Sequence, residues 1–424
     1  MINQELDKLK SFSQHRFGMF VHWGLYAING WHEQEMWRRR VSRGNYIPLI
    51  DKWNPVNFNP DAWLDLAQEA GMEYLVFTTK HHDGFCLFNT RYTDFNVMNS
   101  PYRRDILGEL AAACQRRNFP LGVYYSVVDW MHPNYPNQGR HHEIPAQPGD
   151  DPDMKKYMEF MRSQVRELCT GYGKLHSFWW DMNVDGYHDP TINQMIRELQ
   201  PDCFINNRGM DEGDFGTPER DWNDHAGAIC VPVEACQSVG MESWGYRVDE
   251  SYYSDRHIIR SMDRFLAKGA NYLLNVGPQP DGIIPEKSAA MLRRIGDWYK
   301  KVRFAFENTE TLGEVTGVPG SILTRKENKI YLHLPADFPG EDVIIKPLQQ
   351  LPKQAVLLNT GQKLRCANNM TPSQHSEQTG YLRVCGLPIN EMSNTCMVIE
   401  LEFETMSDWQ TVDIIKNEID VNVM

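Results

Sequence analysis

The stretch KLHSFWWDMNVDGYHDP, residues 174–190, decides how the chain is read. Its first half, LHSFWWDM over 175–182, reads as a β-strand, since apolar and aromatic residues follow one another without a helical repeat. The run then stops on Asp181. A carboxylate beside two indole rings is costly in an ordinary core, so Asp181 is expected at the mouth of a pocket. The competing reading makes it a cap for the segment that follows.

Six further strand-like runs resemble this one in length: RFGMFVHWG (16–24), EYLVFTTKHHDG (73–84), FPLGVYYSVVDW (119–130), CFINNRG (203–209), VPVEACQSV (231–239) and NYLLNVGP (271–278). Between them lie helical patterns such as PDAWLDLAQEAG, RDILGELAAACQRRN, DPDMKKYMEFMRSQVRELCTGYG and DRHIIRSMDRFLAKGA. Strand and helix alternating in this way imply parallel strands joined by helical crossovers. At this length the expected fold is α/β, a (β/α)8-like barrel of the TIM type over residues 1–305, with seven strands readable and the eighth unplaced. From 306 to 424 the pattern changes. SILTRKENKIYLHLP, DVIIKPL, AVLLNTGQKLR, GYLRVCGL and CMVIELEFE are short strands separated by turns, which predicts a C-terminal antiparallel β-sandwich. The last stretch, TMSDWQTVDIIKNEIDVNVM, reads as a final helix or a tail.

Composition narrows the partners. A formal net charge of −13 over 424 residues disfavours nucleic acid and membrane surfaces. No run of about 18 apolar residues suggests a membrane span. The opening MINQELDKLKSFSQHRF is polar and lacks the apolar core of a secretion signal, so a cytoplasmic location is expected. The 9 cysteines are odd in number and show no CxxC spacing, which points to free buried thiols rather than disulfides or zinc ligands.

In a parallel barrel, reactive groups collect where strands end and βα-loops begin. Polar and aromatic residues cluster at those ends here: His22, Lys80-His81-His82-Asp83, Tyr124-Tyr125, Trp179-Trp180-Asp181, Asn206-Asn207-Arg208, Glu234 and Asn275. Their convergence predicts one pocket rich in hydrogen-bonding groups and aromatic faces, a mixture that suits a sugar. Cleaving a glycosidic bond needs two carboxyl groups. Asp181 supplies one. For the second, Glu219 in DEGDFGTPERDWNDH, with Trp222 nearby to desolvate it, and Glu234 in VPVEACQSVG compete, and spacing alone leaves the choice open.

RFGMFVHWG, FTTKHHDGFCLFNTRYTDFNV, LGVYYSVVDW, FWWDM, INNRG, GTPE, SWGY and KGANYLLNVGPQPDGIIP resemble, in order, the motifs of the α-L-fucosidases of glycoside hydrolase family 29. The resemblance implies a retaining hydrolase acting on terminal α-L-fucose of fucosylated glycans. It places the nucleophile on Asp181 and the acid/base on Glu219, with some relatives placing the latter near Glu234. The implied sugar-binding positions are His22, Glu35, Trp37, His81, His82, Tyr124, Trp179, Arg208 and Trp244. In EQEMW, Met36 separates Glu35 from Trp37, whereas many relatives join the two directly. No metal or cofactor is expected: His81-His82-Asp83 could suggest a metal-dependent hydrolase on a similar barrel, yet no HxH follows the first strand. An inactive sugar-binding protein is the other alternative, disfavoured because both carboxylates are present.

Overall fold

A computed structural model describes residues 11–140, 142–220, 232–313, 318–346, 348–376 and 378–405. Seven parallel strands form the main sheet: β1 Phe17–Val21, β2 Tyr74–Lys80, β3 Leu121–Ser126, β4 Ser177–Asp181, β5 Phe204–Ile205, β6 Glu234–Ser238 and β7 Asn271–Val276. They lie in the order β5-β4-β3-β2-β1-β7-β6. Six longer helices accompany them: α1 Pro60–Glu69, α2 Ile106–Arg116, α3 Met154–Gly171, α4 Pro190–Leu199, α5 Asp255–Ala267 and α6 Glu286–Val302. Five of these begin on a side-chain cap (Asn59, Asp105, Asp153, Asp189 and Ser254) that accepts a first-turn backbone N–H. All seven expected strands are therefore present, each shorter than its apolar run.

The eighth barrel position, unplaced in the sequence, is filled by an irregular extended segment. β5 is only two residues long, and the Asn206 amide takes over its ladder by exchanging two hydrogen bonds with the backbone of Trp180. The chain then turns at Gly213, whose φ of 65° and approach to the Asn206 carbonyl exclude a side chain. Residues 215–219 run between the two edge strands through parallel bridges Asn206↔Phe215, Gly216↔Val233 and Glu219↔Cys236. Among the described residues no helix separates β5 from β6. A near-polar stretch, GTPE, thus closes the ring, which is why no strand pattern announces it.

Alternation along each strand sorts two cores. Phe178 and Trp180 join the layer between sheet and helices, whereas Trp179 packs inside the ring with Phe12, Phe20, Tyr74, Val76, Tyr124, Phe204, Phe215, Cys236 and Leu273. Asp181, two residues after Trp179, shares its inward side. The C-terminal strands form a six-stranded sheet and a three-stranded sheet around a second apolar core. The barrel-side core continues into Ile322, Tyr331, Cys396 and Val398, which seat this sandwich against α6. The expected terminal element over 405–424 falls almost wholly outside the described residues, as does Trp222. Among the described residues no helix is long and apolar enough to cross a membrane.

Candidate active site

Register brings the first pair together. β3 and β4 align Tyr124 with Trp179 and Ser126 with Asp181, so the phenol of Tyr124 reaches up to the carboxylate at the strand end. Its hydroxyl donates to Asp181 Oδ2 at 2.6 Å. From the loop after β5, Arg208 Nη1 donates to Asp181 Oδ1 at 3.1 Å and to Glu219 Oε1 at 3.3 Å. One guanidinium nitrogen thus bridges one oxygen of each carboxylate, Asp181 Oδ1 and Glu219 Oε1. Arg208 is itself fixed, with Nε on the Thr217 hydroxyl, Nη2 on the Thr217 carbonyl and its carbon 4.9 Å from the centre of the Trp179 ring. Burial alone would raise the Asp181 pKa, but Arg208, His82 and the Tyr124 hydroxyl together hold it below the ordinary carboxylate value. Asp181 is thus kept as an anion. Its side chain is only 13% exposed against 45% for Glu219, so the second carboxyl is the one open to solvent and to a leaving group.

The imidazoles are neutral, and their hydrogen bonds fix which nitrogen faces the pocket. Asn275 Nδ2 donates to the Trp244 carbonyl, so its oxygen must face His22 Nδ1, 2.7 Å away. His22 therefore carries its proton on Nδ1 and offers Nε2 as an acceptor. The same logic holds for His82. Ser126 gives its one hydroxyl proton to the Val128 carbonyl and accepts from His82 Nδ1 at 2.7 Å. Burial pushes His82 down to about 4, against the pull of Asp181, whose Oδ2 lies 3.8 Å from Nε2. His81 is also shifted well below its usual value, first by burial and then by the neighbouring imidazoles, and its Nδ1 is buried without a partner. Adjacent residues on a strand point to opposite faces, but β2 ends at Lys80 after a register irregularity between Thr78 and Lys80. The two histidine rings accordingly lie 3.9 Å apart, side by side.

Trp244 supplies a wall, its ring 5.3 Å from that of His22 and under the Arg220 guanidinium at 5.1 Å. The first loop behaves differently from expectation. Glu35 is buried with its oxygens accepting from Asn29 Nδ2 and Arg39 Nη1, and Trp37 packs on the His142 ring at 4.0 Å. Neither is seen against the carboxylate pair. The loop's second acid, Glu33, is the one that faces this side. Its Oε2 accepts from the Ser243 hydroxyl at 2.6 Å and from the backbone N–H groups of Trp244 and Gly245. Burial opposes ionisation of Glu33, yet the neighbouring His32 and the Ser243 hydroxyl leave its pKa below the ordinary value. Glu33 was legible only as one of two glutamates two residues apart, and the short helix Glu35–Arg38 turns the second one away.

Glu234 also departs from expectation. It is the first residue of β6, at the opposite end of the strand from the pocket mouth, and it is fully buried. Its Oε2 accepts from Tyr74 at 2.5 Å and its Oε1 from the Trp179 indole at 2.9 Å. The carboxyl the structure sets beside Asp181 is Glu219. Among the described residues no group of three or more His, Cys, Asp or Glu side chains is arranged to hold a metal ion.

A parallel barrel whose strand ends gather two arginine-bridged carboxylates, neutral imidazoles and indole faces has the groups that cleavage of a glycosidic bond calls for. Comparison makes this specific. Residues 3–302 match the family described as Alpha-L-fucosidase. Tissue alpha-L-fucosidase of Rattus norvegicus is 28% identical over 315 residues, spanning 68% of this chain and 67% of its own. Among solved structures, alpha-L-fucosidase isoenzyme 1 from Paenibacillus thiaminolyticus superposes with a TM-score of 0.83 at 32% identity, over 94% of this chain and 99% of its own. A Bacteroides thetaiotaomicron GH29 alpha-L-fucosidase, trapped as a covalent intermediate with 2-fluoro-fucosyl fluoride, superposes at 0.77 with 27% identity over 93% of this chain and 96% of its own. The chain belongs to the α-L-fucosidase family of glycoside hydrolases.

Proposed function

We propose that the protein removes terminal α-L-fucose from fucosylated oligosaccharides and glycoconjugates by double displacement. Asp181 attacks the anomeric carbon while Glu219 protonates the departing oxygen, giving a covalent fucosyl-enzyme. Glu219 then deprotonates the water that releases fucose. The observation that carries this reading is the pairing through Arg208 of a buried, anionic aspartate with a more exposed glutamate. The geometry supports the roles in turn. Bare Nε2 atoms on His22 and His82 accept from sugar hydroxyls, and Trp244 offers an apolar face to the C6 methyl group that distinguishes fucose.

The test is chemical rescue. Asp181→Ala should lose nearly all turnover of an aryl α-L-fucoside, and added azide should restore release of the aryl group with formation of β-L-fucosyl azide, the inverted product. An azide product of retained configuration, or an alanine variant with near-normal rates, would remove Asp181 from the nucleophile's role.

A further inference from the structure

Among the buried carboxyls that the mechanism does not use is Glu234. Glu234 lies inside the ring, beneath the pocket, and both oxygens are occupied. One receives the indole N–H of Trp179. The other receives the hydroxyl of Tyr74, whose ring can enter the barrel because the facing residue on β1 is Gly18. A Cβ on Gly18 would fall 2.4 Å from Tyr74 Cζ, so the glycine reserves this space. An uncompensated carboxyl at such a place would be among the costlier things to bury. Two donors aimed at it make the placement affordable and give Trp179 a fixed orientation.

Trp179 is where this matters. Its ring lies 5.8 Å from the Tyr124 ring at an interplanar angle of 20°, and its face supports the Arg208 guanidinium at 4.9 Å. Among the described residues, Tyr124 and Arg208 are the side chains that hydrogen-bond the Asp181 carboxylate. We propose that Glu234 is a positioning residue: its carboxyl pins the Trp179 indole, and through that indole sets the seats of Tyr124 and Arg208 on the attacking aspartate. The chain of contact runs Glu234, Trp179, then Tyr124 and Arg208, then Asp181. Glu234 does not touch substrate. This rests on the reading of Asp181 as nucleophile.

The assay compares kcat/KM for aryl α-L-fucosides of graded leaving-group acidity in wild type, Glu234→Gln and Glu234→Leu, together with the indole N–H resonances of 15N-tryptophan-labelled protein. A glutamine keeps an oxygen for Trp179 and can donate to the Tyr74 oxygen, so Glu234→Gln should retain rates within about threefold and leave the Trp179 N–H signal hydrogen-bonded. Glu234→Leu should lose about ten- to hundredfold, equally for good and poor leaving groups, with the acid limb of the pH profile moved toward neutrality as Tyr124 and Arg208 loosen on Asp181 and the Trp179 signal shifted upfield. If the leucine variant does not fold, Trp179→Phe, which deletes the donor, must show the same leaving-group-independent loss. A selective loss on poor leaving groups in Glu234→Gln would make Glu234 the acid/base and overturn the proposal. Wild-type rates in a folded Glu234→Leu or in Trp179→Phe would overturn it too. Failure of the wild type to cleave any aryl fucoside would instead sink the fucosidase reading, so the two failures stay distinct.

Discussion

Replacing Arg208 by methionine tests the electrostatics of the site most severely. Among the described residues the guanidinium makes four hydrogen bonds, one each to Asp181 and Glu219 and two that anchor it on Thr217. Methionine fills much of the same volume and keeps contact with Trp179 while deleting the charge. A hydrogen bond to a charged group contributes about 1.5–3 kcal/mol, so loss of the Asp181 contact alone should reduce kcat/KM roughly 10- to 150-fold. The pH dependence should move with it. Asp181 must be ionised to attack, and Arg208 is the first of the groups that lower its pKa against burial. Without that cation the carboxylate protonates at a higher pH, so the acid limb of kcat/KM should shift toward neutrality. The same sign applies to stability. A depressed carboxylate stabilises the fold above the unfolded pKa, and that contribution disappears as pH falls through the folded value. The variant should therefore show a smaller stability difference between pH 7 and acid than the wild type. The assay is a pH–rate profile on an aryl α-L-fucoside with circular dichroism melts in parallel. An acid limb that stays in place would show that Arg208 does not govern the Asp181 charge, and the account of the pair would be wrong.

Other substitutions probe separate links. Glu219→Ala should reduce hydrolysis of fucosides with poor leaving groups by about 10²–10⁴-fold while activated aryl fucosides lose far less, read from a leaving-group series. Gly18→Ala forces its Cβ onto the Tyr74 ring and should cost about 1–3 kcal/mol in a urea melt while also slowing turnover through Glu234. Asp263→Leu should lower the melting temperature, since it removes the partner of His333, 2.8 Å away, across the seam between α5 and the sandwich. Breaking such a buried pair costs about 3–5 kcal/mol.

Much of this was legible in the sequence because strand ends announce themselves. An apolar run that terminates in His, Asp or Asn-Arg marks the rim of a parallel barrel, and His22, His81, His82, Asp181 and Arg208 were found that way. What stayed hidden depended on geometry that periodicity does not encode. The 215–219 segment closes the ring with Gly, Pro and Glu around a single β-branched Thr217, and its strand character comes from neighbours on both sides. Glu234 was grouped with the strand-end residues near the pocket, but β6 begins at that residue, which sets it at the far end from the mouth. Glu33 and Glu35 differ only in which side of a short helical turn they occupy. Two residues separate a clamp on the Trp244 wall from a carboxyl spent on Asn29 and Arg39.

Labelling with 2-deoxy-2-fluoro-fucosyl fluoride, followed by peptide mapping of the inactivated protein, reaches the central claim without any mutation. One equivalent of fluorofucosyl ester should appear on Asp181, in the peptide that carries the tryptophan pair, and inactivation should slow in the presence of free fucose. A label on Glu219, Glu234 or any other side chain, or time-dependent inactivation with no covalent adduct, would contradict the assignment.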